Sequence, residues 1–298
     1  MRRAAALALA FAGAAHWIAA GATVHVQDAC APAGAVRVAT EPLSAEQMTR
    51  ELLLEPGTVA RPGLASPTRV PWVNANGWRY VRKPQAKYRY ELPEGKGALA
   101  AAEALAYAGD AVLQIAPGDL PAVCRLFALV KDVPAAELPG LADIGVIDDE
   151  SPVLGEVMNL LVRRNLLFAV LVAPQMRFAV NVRLNTPEYS LAEAADPSAI
   201  ALKIRRQLTD ERRSLRIFGS EVVIGRLTGD ATRVRLHLVN YGSREISGLR
   251  VRVRGTYREA VAYIPDQGRV AVADFVAADG ATEFSVPILT TYAIVDLR

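Results

Sequence analysis

Histidine is nearly absent from this chain. Of three in 298 residues, His16 falls in an apolar leader, which leaves His25 and His237. A Ser-His-Asp or Cys-His arrangement therefore has almost no base to draw on. Cysteine is as scarce: Cys30 and Cys124 are too few for a disulfide scaffold or a structural zinc site. No G-x-S-x-G, G-x-C-x-G, H-E-x-x-H, Walker A or G-x-G-x-x-G occurs. Nucleophilic hydrolysis through Ser or Cys lacks its sequence supports, and neither a cofactor nor a metal is expected. Charge of one sign is missing too. The 34 basic residues face 31 acidic ones, and without Arg2 and Arg3 the balance is 32 to 31, near +1. That excludes a global attraction to nucleic acid. There is no internal repeat and no low-complexity tract.

What is there begins with a leader. Arg2 and Arg3 precede an apolar stretch over 4–18, and Ala20-Gly21-Ala22 offers the small residues of a cleavage site. Residues 1–22 read as a signal peptide, which places the chain in the periplasm or outside the cell. If uncleaved, 4–22 is just long enough to span a bilayer, and a membrane is a partner only in that case. Cys30 follows Gln27-Asp28-Ala29 without the leucine of a lipidation signal. In an oxidising compartment Cys30 and Cys124 can pair. Cys124 sits in an apolar helical pattern, so a buried thiol is equally compatible.

Residues 23–71, with Pro32, Pro42, Pro56, Pro62 and Pro67, form an extended arm with a short helix over 44–54. Residues 72–212 alternate strand and helix patterns, the signature of a layered α/β domain of flavodoxin or amidotransferase type. Its centre is 141–174: an apolar strand, the acidic turn Asp148-Asp149-Glu150, a helix opened by Ser151-Pro152, and a second apolar strand. Upstream, Asn76-Gly77 predicts a hairpin turn. From 213 to 298 the period changes to two, and seven or so short strands between Gly-, Pro- and Asn-rich turns predict an all-β sandwich domain.

The strand RVRLHLVNYG (233–242), the following GLRVRVRG (248–255) and the ending TEFSVPILTTYAIVDL (282–297) carry a resemblance. They look like the small β-sandwich of secreted multidomain glycoside hydrolases. The α/β part resembles the amidotransferase-like domain that precedes that sandwich in β-galactosidase-type enzymes. The resemblance covers about half the chain and leaves no room for a catalytic barrel of roughly 250 residues. It implies a secreted, carbohydrate-associated context without supplying active-site residues.

Three groups of residues are candidates for chemistry. Asp148, Asp149 and Glu150 stand at the carboxyl end of a parallel strand, where open α/β sheets bind ligands. With Glu103 or Asp110, carboxylates from 143–156 could serve as acid and base in a glycosidase. Equally, they simply favour the dipole of the following helix. Trp72, Asn74, Asn76, Trp78 and Arg79 combine flat aromatic faces with polar groups, the kit for gripping a sugar ring. The alternative is that both tryptophans plug the core. Finally, Arg233, Arg235 and His237 alternate with apolar residues, as do Arg250, Arg252 and Arg254. Paired as a hairpin, these strands would crowd six groups on one face, to be covered by Asp210 and Glu211, by water, or by an anionic partner. The expected function is an exported, carbohydrate-associated accessory module. The alternatives are a glycosidase and a structural envelope protein.

Overall fold

A computed structural model describes Cys30, residues 33–41, 44–46 and 53–54, and residues 75–298 apart from 221, 231 and 243. The protein is mixed α/β. Strands β1 (Val36–Ala39), β2 (Leu53–Leu54), β3 (Lys87–Glu91) and β4 (Asp110–Gln114) form one parallel sheet in the order β1-β4-β3-β2. Helix α1 (Gly77–Arg82) leads into β3, α2 (Gly97–Ala106) joins β3 to β4, and α3 (Leu120–Asp132) follows. Asn76-Gly77 is thus a helix start and not the predicted hairpin turn. Of the expected arm helix over 44–54, Ala45 and Glu46 are helical, Ser44 is not, and Leu53 and Leu54 belong to β2; residues 47–52 lie outside the described residues.

A second parallel sheet has β5 (Ile144–Ile147) between β6 (Phe168–Leu171) and β7 (Val180–Val182). Its central strand is buried throughout, which is why its sequence is apolar without alternation. Helix α4 (Pro152–Arg163) starts where Ser151-Pro152 predicts: the Ser151 hydroxyl accepts the Leu154 amide at 3.1 Å. Asn165 then takes a φ of 53°, and the chain turns back into β6. A short α5 (Leu191–Ala194) precedes α6 (Pro197–Arg212), whose Asp196 cap accepts the amides of Ser198 and Ala199. The inner face of α6, Ile200, Ile204 and Leu208, is fully buried. Among the described residues the α/β portion therefore holds two parallel sheets.

The nine remaining strands are antiparallel. They are β8 (Leu215–Ile217), β9 (Val223–Gly229), β10 (Val234–Asn240), β11 (Ile246–Arg254), β12 (Ala260–Ile264), β13 (Gly268–Ala271), β14 (Ala273–Ala278), β15 (Ala281–Leu289) and β16 (Tyr292–Leu297). They make two sheets, β13-β12-β16-β10-β9 and β14-β15-β11-β8. Leu236, Leu238, Val251, Val253, Phe284 and Val295 fill the space between them. Strands β10 and β11 belong to different sheets, so the expected hairpin between them does not form.

The five-stranded sheet is largely buried on both faces except at its edge strand β13. Its outer face contributes Ile224, Val239, Tyr263, Tyr292 and Ile294 to the core that surrounds the helices. The seam is also hydrogen bonded. The Leu141 amide donates to Leu227 O at 2.9 Å and the Gly229 amide to Pro139 O at 2.8 Å. The 139–141 segment thus covers the free edge of β9. Asp143 accepts the Ser214 amide at 2.8 Å and its hydroxyl at 2.6 Å. Cys30 and Cys124 are joined in a disulfide that ties the amino-terminal segment to α3.

Candidate functional site

The carboxyl end of β5 carries the acidic turn, and its first acid is already engaged. Asp148 takes a two-pronged hydrogen bond from Arg82, with Nη2 at 2.7 Å from Oδ1 and Nε at 2.9 Å from Oδ2. Burial alone would raise the Asp148 pKa. The hydrogen bonds from Arg82 and the Glu150 amide, with the Arg82 charge, outweigh it and hold the group below the usual carboxylate range. A carboxylate so held does not act as a general acid near neutral pH. Asp149 accepts the Ser151 amide at 2.9 Å and is exposed, as is Glu150.

Asp148→Asn is therefore expected to cost stability by about 1–3 kcal/mol, the usual penalty for breaking a hydrogen bond to a charged group. The folded pKa is lowered, so the pair contributes fully above the ordinary carboxylate value of 3.8 and fades as pH falls through the folded value. Urea unfolding of both proteins at pH 7 and at pH 2–3 checks this; a gap that does not narrow in acid contradicts it.

The aromatic segment is placed differently from its sequence reading. Trp78 is in the core, 8% exposed, with Arg79 lying 4.4 Å from its ring centroid. Its far edge packs where a Cβ on Gly155 would come within about 3.0 Å, so α1 and α4 touch through that glycine. Asn76 is buried as well. Trp72 and Asn74 lie outside the described residues. Arg82 joins the two candidate groups, since it leaves the same short helix as Trp78 and ends on Asp148. Neither Trp78 nor the acidic turn borders any of the three principal cavities.

Glu103 is the strongest feature that the sequence reading undervalued. It is 4% exposed, in the middle of the alanine-rich α2. Its Oε1 accepts the Asn76 amide at 2.5 Å, the Gly77 amide at 3.0 Å and the Tyr241 hydroxyl, while Oε2 lies 3.3 Å from Asn76 Nδ2. Glu103 therefore caps α1 from 26 residues away and ties α2 to the end of β10. Burial raises its pKa, and the hydrogen bonds from Tyr241, Asn76 and Gly77 only partly offset that. A lone acid in a run of alanines was the available signal.

The arginines of the basic strands find partners within the chain, although Arg250 and Arg254 stay exposed. Arg235 reaches Asp296 of the neighbouring β16 at 2.7 Å and Pro134 O at 2.8 Å, and Arg233 shares the same carboxylate. Arg250 and Arg252 meet Glu283 of β15. Arg254 donates to Arg212 O at 2.9 Å and lies 3.6 Å from Asp143. Asp210 instead serves Arg205, Arg213 and Arg216. The six groups are not crowded on one face because the two strands are in separate sheets. His237 is held neutral: burial and then nearby Arg226 push its pKa down to about 3, and its Nδ1 lies 2.7 Å from the Tyr292 hydroxyl.

Among the described residues no group of His, Cys, Asp or Glu is arranged to hold a metal, and no helix is long and apolar enough to cross a membrane. No protein-family model matches the chain, and no curated protein does. Solved structures do. An α-L-fucosidase, isoenzyme 2 from Paenibacillus thiaminolyticus, is similar over 76% of this chain and 62% of its own, with a TM-score of 0.56 and 10% identity. The fold is similar to that fucosidase's over the matched part. A rhamnosidase from Novosphingobium is similar over 33% of this chain and 9% of its own at 15% identity, with a TM-score of 0.27. A glycoside hydrolase family 30 xylanase from Clostridium acetobutylicum matches 74% of this chain and 44% of its own at 6% identity, also with a TM-score of 0.27. The chain thus spans less than two thirds of each of these proteins. At such identities the fucosidase likeness establishes the fold alone.

Proposed function

We propose that the protein is an exported, carbohydrate-associated accessory module that does not itself hydrolyse glycosides. One observation carries the non-catalytic part: the best-placed carboxylates are committed. Asp148 is clamped by Arg82, Asp143 is sealed against Ser214, and Glu103 lies beneath Tyr241. A hydrolase needs one carboxyl held protonated beside a second, both facing the scissile bond. The likeness in fold to a fucosidase supports the link to carbohydrate, and a disulfide suits an oxidising compartment, as the 1–22 leader does. The division into an arm (23–71), an α/β domain of amidotransferase-like layering (72–212) and a β-sandwich (213–298) belongs to the same reading.

With Trp78 in the core, Trp72 and Asn74 become the residues proposed to face a glycan. Wild-type protein is expected to bind a polysaccharide in a pull-down series, and Trp72→Ala to lose at least tenfold in affinity, while aryl glycosides are not cleaved. Undiminished binding by Trp72→Ala removes the platform. Hydrolysis that vanishes in a folded Asp148→Asn variant would make the protein a glycosidase instead.

A further inference from the structure

The seam between the helices and the sandwich contains a cavity of about 230 Å³. Val81, Leu141, Val162, Leu167, Phe168 and Val170 give it an apolar wall. Pro84 and Gly140 at its border are exposed, so it opens to solvent. One cation borders it, Arg226 of β9. The guanidinium lies 4.8 Å from the Tyr107 ring centroid, and its Nε is sealed from solvent with no acceptor. Among the described residues no carboxylate pairs with it. Arg82, Arg213, Arg233 and Arg235, in comparable surroundings, each have one. Asn165 is already engaged by the backbone of β9, with the Gly225 amide at 2.7 Å and Val223 O at 2.9 Å; Tyr80 and Tyr107 also line the cavity.

A sheltered cation without a counter-charge is costly. Burial lowers the Arg226 pKa, opposed only by Tyr107. A carboxylate entering the cavity would supply the missing counter-charge, accepting from the terminal nitrogens of Arg226. The apolar wall suits a hydrocarbon body better than the several hydroxyls of a sugar acid. The volume is below the about 300–1,000 Å³ of drug-sized sites, which limits the ligand to a small acid.

We propose that this cavity binds a small monocarboxylic acid with an apolar body, its carboxylate on Arg226 and its hydrocarbon against Val162, Leu167 and Phe168. The inference is independent of any glycan platform. Calorimetric titration of the full chain with phenylacetate, phenylacetamide and glucuronate tests it. Phenylacetate is expected to bind at least tenfold more tightly than either of the others. Arg226→Met, with an unchanged circular dichroism spectrum, is expected to weaken phenylacetate at least tenfold. Should that variant fail to fold, the acid–amide comparison on the wild-type chain decides alone. Equal binding of acid and amide, no binding of phenylacetate, or preference for glucuronate overturns the proposal.

Discussion

Replacing Glu103 with alanine is expected to destabilise the protein by about 3–5 kcal/mol, in the range seen when one member of a buried charged network is removed. The substitution leaves the amides of Asn76 and Gly77 and the Tyr241 hydroxyl without their acceptor. A buried donor so abandoned costs about 1–3 kcal/mol. It also opens a hole between α2 and β10. Glu103→Gln keeps an acceptor for the two amides and should be far milder. The same pair of proteins reports on pH. Because burial raises the folded pKa above the ordinary 4.5, the carboxyl's contribution is fully present below that value and is lost as pH rises through the folded value. Wild type should therefore lose ground to Glu103→Gln between about pH 4.5 and neutrality. Urea denaturation of both across that range measures it, and parallel pH profiles would show that Glu103 ionises no differently when folded.

Breaking the Cys30–Cys124 bridge should have an effect of similar size. The bridge closes a loop of 94 residues in sequence separation. Chain-entropy arguments put a closed loop of that size near the top of the usual scale, so reduction is expected to cost about 2–4 kcal/mol. For a chain this long that corresponds to a fall in melting temperature on the order of 10 °C. Thermal melts with and without reductant, beside a Cys30→Ala variant, check it. The variant should melt with the reduced wild type and ignore reductant. Identical melts of oxidised and reduced wild type would show that the amino-terminal segment is held by other contacts.

Several elements of the fold were legible in the sequence because their signals are local. Ser151-Pro152 fixes the start of α4, and the apolar run over 166–172 contains β6, although that strand is at the sheet edge, its middle is half-buried and Val172 is exposed. Period-two segments after 213 likewise become antiparallel strands. What failed was set at a distance. Asn76-Gly77 carries the chemistry of a tight turn, yet its amides are capped by a carboxylate from α2, and that partner settles the conformation. Strands β10 and β11 follow one another with a short connection, but each finds its acid in a different sheet. Adjacent strands in sequence are neighbours in space often, not always. The candidate site shows the same division. Residue types at 148–150 and 76–79 were readable, whereas the engagement of Asp148 by Arg82 and the burial of Trp78 depend on α1 docking against α4. The unpaired Arg226 left no sequence trace, since an arginine on a strand is ordinary.

Strand β16 lies between β12 and β10 in the middle of the five-stranded sheet. While a ribosome is still making the chain, β10 and β12 are finished well before residues 292–297 emerge. Until then both present bare edges, the kind of surface on which unfinished chains stick to one another. A chaperone acting on the nascent protein would find its main task there. Substitutions that weaken β16 should accordingly show up first as poor yield and inclusion bodies.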